Sequence, residues 1–92
     1  MEINELRESI NEIDEQLVRL FCERLDTAKR IAEYKKENSL PVFDREREKA
    51  VLDKVSTLAD DEKTEYVREL YEKLFEISRN CQQKLIDGEE DK

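Results

Sequence analysis

Proline and glycine are almost absent from this sequence of 92 residues, which contains only Pro41 and Gly88. Because these two residue types interrupt helices more than any others, a chain nearly free of them is expected to be helical along most of its length. Charged residues make up 46% of the chain, and β-branched residues form few clusters, which favours helices over strands. We therefore predict an all-α fold whose main break lies at Pro41.

Apolar residues at spacings of three and four predict three amphipathic helices in a single domain covering residues 1–92. The first helix is expected at about 4–37, and the second at about 45–58 with Asp44 as its N-cap. The third is expected at about 63–86, followed by a polar tail at 87–92. The apolar residues that mark the first helix are Ile3, Leu6, Ile10, Ile13, Leu17, Leu20, Ile31 and Tyr34.

The lengths of these helices lead to an expectation about assembly. At 1.5 Å per residue, the first helix is roughly 50 Å long, against roughly 22 Å for the second and roughly 35 Å for the third. The shorter helices cannot cover the whole apolar stripe of the long one, and leaving that stripe in water is unfavourable. We therefore expect an intertwined helical-bundle homodimer in which two first helices pack against each other.

Charge and composition argue against several classes of function. The 17 basic and 25 acidic residues give a net charge of −8, which opposes binding to nucleic acid and to anionic membrane surfaces. The N-terminus leads into no apolar run, so we expect neither a signal peptide nor a membrane span, and we predict a cytoplasmic protein. Histidine is absent and the chain has no glycine-rich loop, so we expect neither a metal nor a cofactor.

Two cationic residues interrupt the apolar face of the first helix. Residues spaced by seven from Ile3 to Ile31 are apolar except for Arg24, which therefore holds a core position. Lys35 follows eleven residues later and lies only about 20° around the helix from Arg24. The two cations are thus expected to share one inward face.

Further polar residues are expected at the same interior. Ser78 and Gln82 are four residues apart on the third helix, so they lie on one face beside its apolar stripe. The segment Asp44-Arg45-Glu46-Arg47 brings more charge to the start of the second helix, where backbone N–H groups also favour anions. A site with several cations and two neutral hydrogen-bonding side chains is therefore predicted inside an acidic protein.

Each of these residues also has a simpler explanation. Arg24 could reach solvent at the edge of the bundle, and Lys35 could belong to a solvated patch. Arg7 and Arg47 could be ordinary surface ions, and Glu46 could serve only to stabilise the helix dipole. Ser78 and Gln82 could simply hydrogen-bond to each other. Taken together, however, several buried cations are unfavourable unless a bound dianion compensates their charge.

The combination resembles the all-helical chorismate mutases, and we interpret the chain as the free-standing form. The resemblance covers about residues 4–86 and implies a dimer of three-helix subunits whose long helices span both subunits and form two equivalent pockets. It is carried by Leu6-Arg7 with Ile10, Ile13 and Asp14, by Glu23-Arg24, by Lys35, by Asp44-Arg45-Glu46-Arg47, and by Ile77-Ser78 with Gln82.

The resemblance also implies a role for each candidate residue. Arg24, Lys35, Glu46 and Gln82 would be the catalytic residues. Lys35 would contact a substrate carboxylate and the ether oxygen, Gln82 would donate to that same oxygen, and Glu46 would bind the ring hydroxyl. The remaining substrate-binding residues would be Arg24, Arg45 and Ser78 at the carboxylates, and Arg7 supplied to the partner's site.

The implied reaction is the Claisen rearrangement of chorismate to prephenate in the synthesis of phenylalanine and tyrosine, without a cofactor. An isochorismate pyruvate-lyase would share the fold and most of the pocket. A helical coiled-coil adaptor without activity is the alternative from another class, but it would place an apolar residue at position 24, where the chain has Arg24. Arg79, next to Ser78, is bulky and charged, and the sequence does not decide whether it faces the pocket or solvent.

Overall fold

The computed structural model describes residues 2–88, and within that range it contains three α-helices and no strand. Helix α1 spans Ile3–Glu37, α2 spans Arg45–Leu58 and α3 spans Thr64–Asp87, with a short 3-10 turn at Asp61–Lys63 leading into α3. The predicted all-α fold of three helices is confirmed. Of the polar tail predicted at 87–92, residues 89–92 lie outside the described part of the chain.

Local interactions define where these helices begin and end. At the start of α1, the carboxylate of Glu5 accepts a hydrogen bond of 3.1 Å from the backbone N–H of Glu2. Asp44 is the N-cap of α2, and its side chain accepts from the backbone N–H of Arg47 at 3.0 Å. Helix α3 ends at Gly88, whose φ of 76° is the left-handed conformation that glycine adopts most readily.

Helix α3 is the central element because it packs against both α1 and α2. The two buried residues of α1 are Ala28 and Ala32, and Ala32 is 0% exposed. Their small side chains allow close approach of the α3 backbone. Opposite them, Phe75 of α3 is buried, and Val55 is the buried residue of α2. This packing holds the C-terminal half of α1 next to the second half of α3.

The apolar core of one chain is small. Only four apolar residues in the described range are buried, namely Ala28, Ala32, Val55 and Phe75. In contrast, every residue from 2 to 20 is exposed, and the large apolar side chains in that segment are between 44% and 61% exposed. No helix within residues 2–88 has the combination of length and hydrophobicity that crossing a bilayer requires.

Substitution of Ala32 tests the close packing of α1 against α3. We expect Ala32→Leu to lower the free energy of unfolding by about 1–3 kcal/mol, because a larger side chain has no room at a fully buried position. Urea unfolding at one fixed protein concentration measures the effect. The matched control is Glu33→Leu at the neighbouring exposed position, which should change stability by less than about 0.5 kcal/mol. Equal effects of the two substitutions would contradict the packing described above.

Candidate active site

A cavity of about 490 Å³ lies between the C-terminal half of α1, the connecting loop 38–44, the start of α2 and the second half of α3. This volume is in the range of small-molecule sites, roughly 300–1,000 Å³. The residues that line it are Arg24, Thr27, Ala28, Ile31, Tyr34, Lys35, Leu40, Val42, Asp44, Arg47, Glu48, Val51, Phe75, Ser78, Arg79 and Gln82. The cavity therefore brings together four of the residues to which the resemblance gave a catalytic or binding role, which are Arg24, Lys35, Ser78 and Gln82.

Lys35 connects α1 to the loop that closes one side of the cavity. Its ammonium Nζ donates a hydrogen bond of 2.7 Å to the backbone carbonyl of Val42. The backbone N–H of Leu40 in turn donates to the carbonyl of Lys35 at 2.8 Å. Because an ammonium group has three donors, the contact with Val42 leaves donors of Lys35 that can reach a ligand.

Arg24 lies half-buried at the junction of α1 and α3. Its guanidinium carbon is 5.6 Å from the ring centroid of Tyr71, close enough for a cation–π interaction. The Tyr71 ring also meets Phe75 edge to face, with 6.0 Å between centroids. The ring of Tyr71 thus contacts the guanidinium of Arg24 on one side. Arg24 also lines the cavity.

Ser78 and Gln82 form the buried polar part of the cavity. They are 8% and 7% exposed, and the amide Nε2 of Gln82 donates to the hydroxyl of Ser78 at 3.1 Å. The amide oxygen Oε1 of Gln82 is buried and has no hydrogen-bond partner among the described residues. Since buried polar atoms are nearly always paired, this amide is suited to a ligand that supplies polar atoms.

At the start of α2, the structure brings a different pair of charges to the cavity than the sequence interpretation expected. Arg47 and Glu48 line the cavity, whereas Arg45 and Glu46 do not, and of these four residues Glu48 alone is half-buried. The guanidinium of Arg45 instead lies 5.9 Å from the ring centroid of Phe43.

The helical period of the sequence indicates which of the two glutamates at the start of α2 points inward. With the inner face of α2 defined by Val51, Leu52 and Val55, Glu48 lies within about 30° of the centre of that face. Glu46 lies about 170° away from the same centre, on the opposite side of the helix. The N-cap at Asp44 marks the start of α2 but does not indicate which of the following charges points inward.

Arg79 also lines the cavity, so its orientation is now resolved. Its Nη1 atom donates to both carboxylate oxygens of Glu48, at 2.7 and 2.6 Å. The guanidinium carbon is 5.0 Å from the ring centroid of Phe43. Arg79 therefore joins α3 to the start of α2 and to the connecting loop at the same time.

Arg7 does not belong to this cavity within one chain. It lies on the exposed N-terminal half of α1, seventeen residues and roughly 25 Å along the helix from Arg24. A single chain therefore leaves Arg7 without access to the site that its own α1 lines.

The cavity is cationic although the protein is acidic. Four cationic side chains and two carboxylates line it, which gives a net charge of +2, against −8 for the whole chain. The cations are Arg24, Lys35, Arg47 and Arg79, and the carboxylates are Asp44 and Glu48. No group of three or more Cys, Asp or Glu side chains within residues 2–88 is arranged to hold a metal ion. The cavity is best matched by a small molecule that carries two negative charges.

Comparison with known proteins agrees with this geometry. Residues 6–83 match the model of a family described as chorismate mutase type II. A bifunctional chorismate mutase/prephenate dehydratase of Buchnera aphidicola is 38% identical over 82 residues, which is 87% of this chain and 21% of that protein. The enzyme of the same name from Aquifex aeolicus is 44% identical over 57 residues, 62% of this chain and 16% of that protein.

A relative with a single named activity is also similar. The chorismate mutase of Methanocaldococcus jannaschii is 39% identical over 57 residues, which is 62% of this chain and 58% of that protein. The chain thus spans about a fifth of the bifunctional relatives and somewhat more than half of this one. No solved structure matches the chain significantly.

Proposed function

The chain belongs to the type II chorismate mutase family, and on this basis we propose that it catalyses the rearrangement of chorismate to prephenate. The observation that carries the proposal is the convergence of Arg24, Lys35 and Gln82 on one cavity of net charge +2. Chorismate carries two carboxylates, so its charge matches that of the cavity. The two carboxylates are assigned to the guanidiniums and to Lys35, because charge-assisted hydrogen bonds are the strongest ones available to them.

The rearrangement breaks the ether C–O bond and forms a C–C bond within the same molecule, so negative charge grows on the ether oxygen in the transition state. We assign Lys35 and Gln82 as the donors to that oxygen. Hydrogen-bond donors that are held in place before the reaction stabilise such charge without the cost of reorganising solvent. The hydrogen bond from Lys35 to Val42 and the burial of Gln82 support this assignment, since both restrict the side chains. Holding the flexible enolpyruvyl group over the ring lowers the barrier further.

Two assignments at the start of α2 follow the geometry of the cavity rather than the sequence interpretation. We assign the ring hydroxyl to Glu48 instead of Glu46, and carboxylate binding to Arg47 instead of Arg45. Of these four residues, only Arg47 and Glu48 line the cavity. Of the two carboxylates that line the cavity, Glu48 is half-buried whereas Asp44 is exposed, so Glu48 is better shielded from competing water. Ser78 remains assigned to the carboxylate-binding part of the site.

A homodimer is part of the proposal, because the apolar core of one chain is small and a domain of this size is marginally stable alone. Four apolar residues within residues 2–88 are buried, and the apolar face of α1 from Ile3 to Leu20 is exposed. Packing two α1 helices along these faces would remove this apolar surface from water. The free energy gained is roughly 25 cal/mol for each Å² of apolar surface buried. It would also carry Arg7 of each chain toward the cavity of the other, where it adds a further cation for the substrate.

The direct test is to add the purified protein to chorismate and to follow the loss of its ultraviolet absorbance, with the product identified by chromatography. We expect prephenate to form without added metal or cofactor. Release of pyruvate from isochorismate, with chorismate left unchanged, would instead identify a pyruvate-lyase. A protein that leaves both compounds unchanged would refute the proposal.

Substitution of the two proposed donors should affect the reaction and not the fold. We expect Lys35→Ala and Gln82→Ala each to lower kcat by roughly 100- to 1,000-fold, the usual loss when one preorganised donor is removed. The matched controls are Lys36→Ala and Gln83→Ala at the neighbouring exposed positions, which should keep wild-type rates. Steady-state kinetics measure the rates, and circular dichroism verifies folding. Near-wild-type activity of Lys35→Ala or Gln82→Ala would contradict its assignment.

Mixed dimers test whether Arg7 acts in the partner's site. We expect Arg7→Ala and Gln82→Ala to be nearly inactive alone, but to recover roughly a quarter of wild-type activity after unfolding and refolding together. Half of the dimers are then mixed, and each mixed dimer contains one intact site. Light scattering should give a species of twice 11.0 kDa.

The control for this experiment is a mixture of Arg24→Ala and Gln82→Ala. Both residues line the cavity of their own chain, so every mixed dimer has two defective sites and no activity should return. A stable monomer, or the same recovery in both mixtures, would refute a site shared between subunits.

A further inference from the structure

We propose that Arg79 is a positioning residue that holds Glu48 ready to accept the ring hydroxyl of the substrate. This inference rests on the proposed function, because it concerns how the same cavity orients chorismate. The ion pair between Arg79 and Glu48 joins residues that are 31 positions apart, so it depends on the fold and not on local sequence.

The contacts of Arg79 restrain its guanidinium on two sides. One nitrogen, Nη1, donates to both oxygens of Glu48, and the guanidinium carbon lies over the ring of Phe43, 5.0 Å from its centroid. The side chains of Arg79 and Glu48 are 34% and 23% exposed, so water screens this pair only in part. Because a guanidinium that is both paired with a carboxylate and held over an aromatic ring has few orientations left, it restrains the carboxylate of Glu48.

The hydrogen bonds to Arg79 leave Glu48 able to bind a ligand. An ionised carboxylate has about four lone-pair positions, and Arg79 uses one on each oxygen. The remaining positions can accept a hydrogen bond from a hydroxyl in the cavity, which Glu48 lines.

Arg79 also keeps Glu48 away from the cations that the substrate requires. Arg24, Lys35 and Arg47 line the same cavity as Glu48. Without Arg79, the carboxylate would be attracted to one of them, and this would both misplace the hydroxyl acceptor and neutralise a cation needed by a substrate carboxylate. The ion pair at the edge of the cavity therefore separates the group that binds the hydroxyl from the groups that bind the carboxylates.

A purely structural role for Arg79 makes a different prediction. The ion pair also links α3 to α2, and its loss could simply destabilise the protein. Arg68 provides a matched comparison, because its Nη1 donates to the hydroxyl of Ser56 at 2.9 Å and so also links α3 to α2. Arg68 does not line the cavity. Arg68→Met therefore removes a guanidinium hydrogen bond between the same two helices without touching the site.

The test compares Arg79→Met with Arg68→Met on chorismate and on an analogue in which hydrogen replaces the ring hydroxyl. We expect Arg79→Met to lower kcat/KM for chorismate by roughly 10-fold, as expected when a hydrogen bond to a charged group is lost, but by less than about 2-fold for the analogue. Arg68→Met should lower Tm and leave both kcat/KM values unchanged, because it breaks a contact between α3 and α2 away from the cavity.

Two further variants make the test independent of how well Arg79→Met folds. In a Glu48→Gln background, adding Arg79→Met should lower kcat/KM for chorismate by less than about 2-fold, because the two residues act through one contact. Phe43→Leu keeps the ion pair but removes the ring under the guanidinium, and it should give a smaller loss that is likewise confined to chorismate.

The outcomes separate the two proposals. A wild-type protein without activity on chorismate refutes the proposed function itself. If the wild-type protein is active, three results with Arg79→Met would refute the role of Arg79 and leave the proposed function intact. These are full activity, an equal loss of kcat/KM on both substrates, and an undiminished loss of kcat/KM in the Glu48→Gln background. If Arg79→Met fails to fold, equal losses of Phe43→Leu on the two substrates overturn the inference.

Discussion

The close packing of α3 against the C-terminal half of α1 is the interaction on which the rest of the structure depends. Ala28 and Ala32 are small enough for the two backbones to approach, and Phe75 of α3 is buried and lines the same cavity as Ala28. This contact sets Arg24 and Lys35 of α1 around one cavity with Ser78 and Gln82 of α3. Larger side chains at the two alanines would separate the helices and, with them, the cations from the buried amide.

The cavity illustrates how an acidic protein can hold a cationic site. The overall charge of −8 lies mainly on exposed side chains, whereas the cavity has a net charge of +2. Each cation whose contacts are described makes use of neutral or opposite groups: Lys35 bonds to a backbone carbonyl, Arg24 lies over an aromatic ring, and Arg79 pairs with Glu48. Such contacts limit the cost of partial burial and still leave donors for a dianionic ligand.

The exposed half of α1 gives the proposed dimer a role in substrate binding as well as in stability. The same helix contributes Arg24 and Lys35 to its own cavity and presents Arg7 roughly 25 Å away, beyond reach of that cavity. In the proposed dimer, the apolar face of α1 drives association. Because Arg7 reaches only the partner's cavity, a complete site would form only when two chains associate. Folding, assembly and substrate binding would then rest on one continuous helix.

The sequence by itself determined the helical fold and part of the candidate site. Three helices could be predicted because the scarcity of proline and glycine and the spacing of apolar residues are local properties of the sequence. The site was indicated by the heptad position of Arg24 and by the four-residue spacing of Ser78 and Gln82. The sequence interpretation assigned Arg45 and Glu46 at the start of α2, within a run of six charged residues from Asp44 to Lys49, where composition does not distinguish inner from outer positions. The helical period of the sequence already places Glu48 on the inner face of α2. Only the packing of α2 on α3 brought Arg47 to the cavity and paired Glu48 with Arg79, which lies 31 positions away. Rotation of one helix against another depends on contacts distant in sequence, and for that reason the tertiary structure had to decide it.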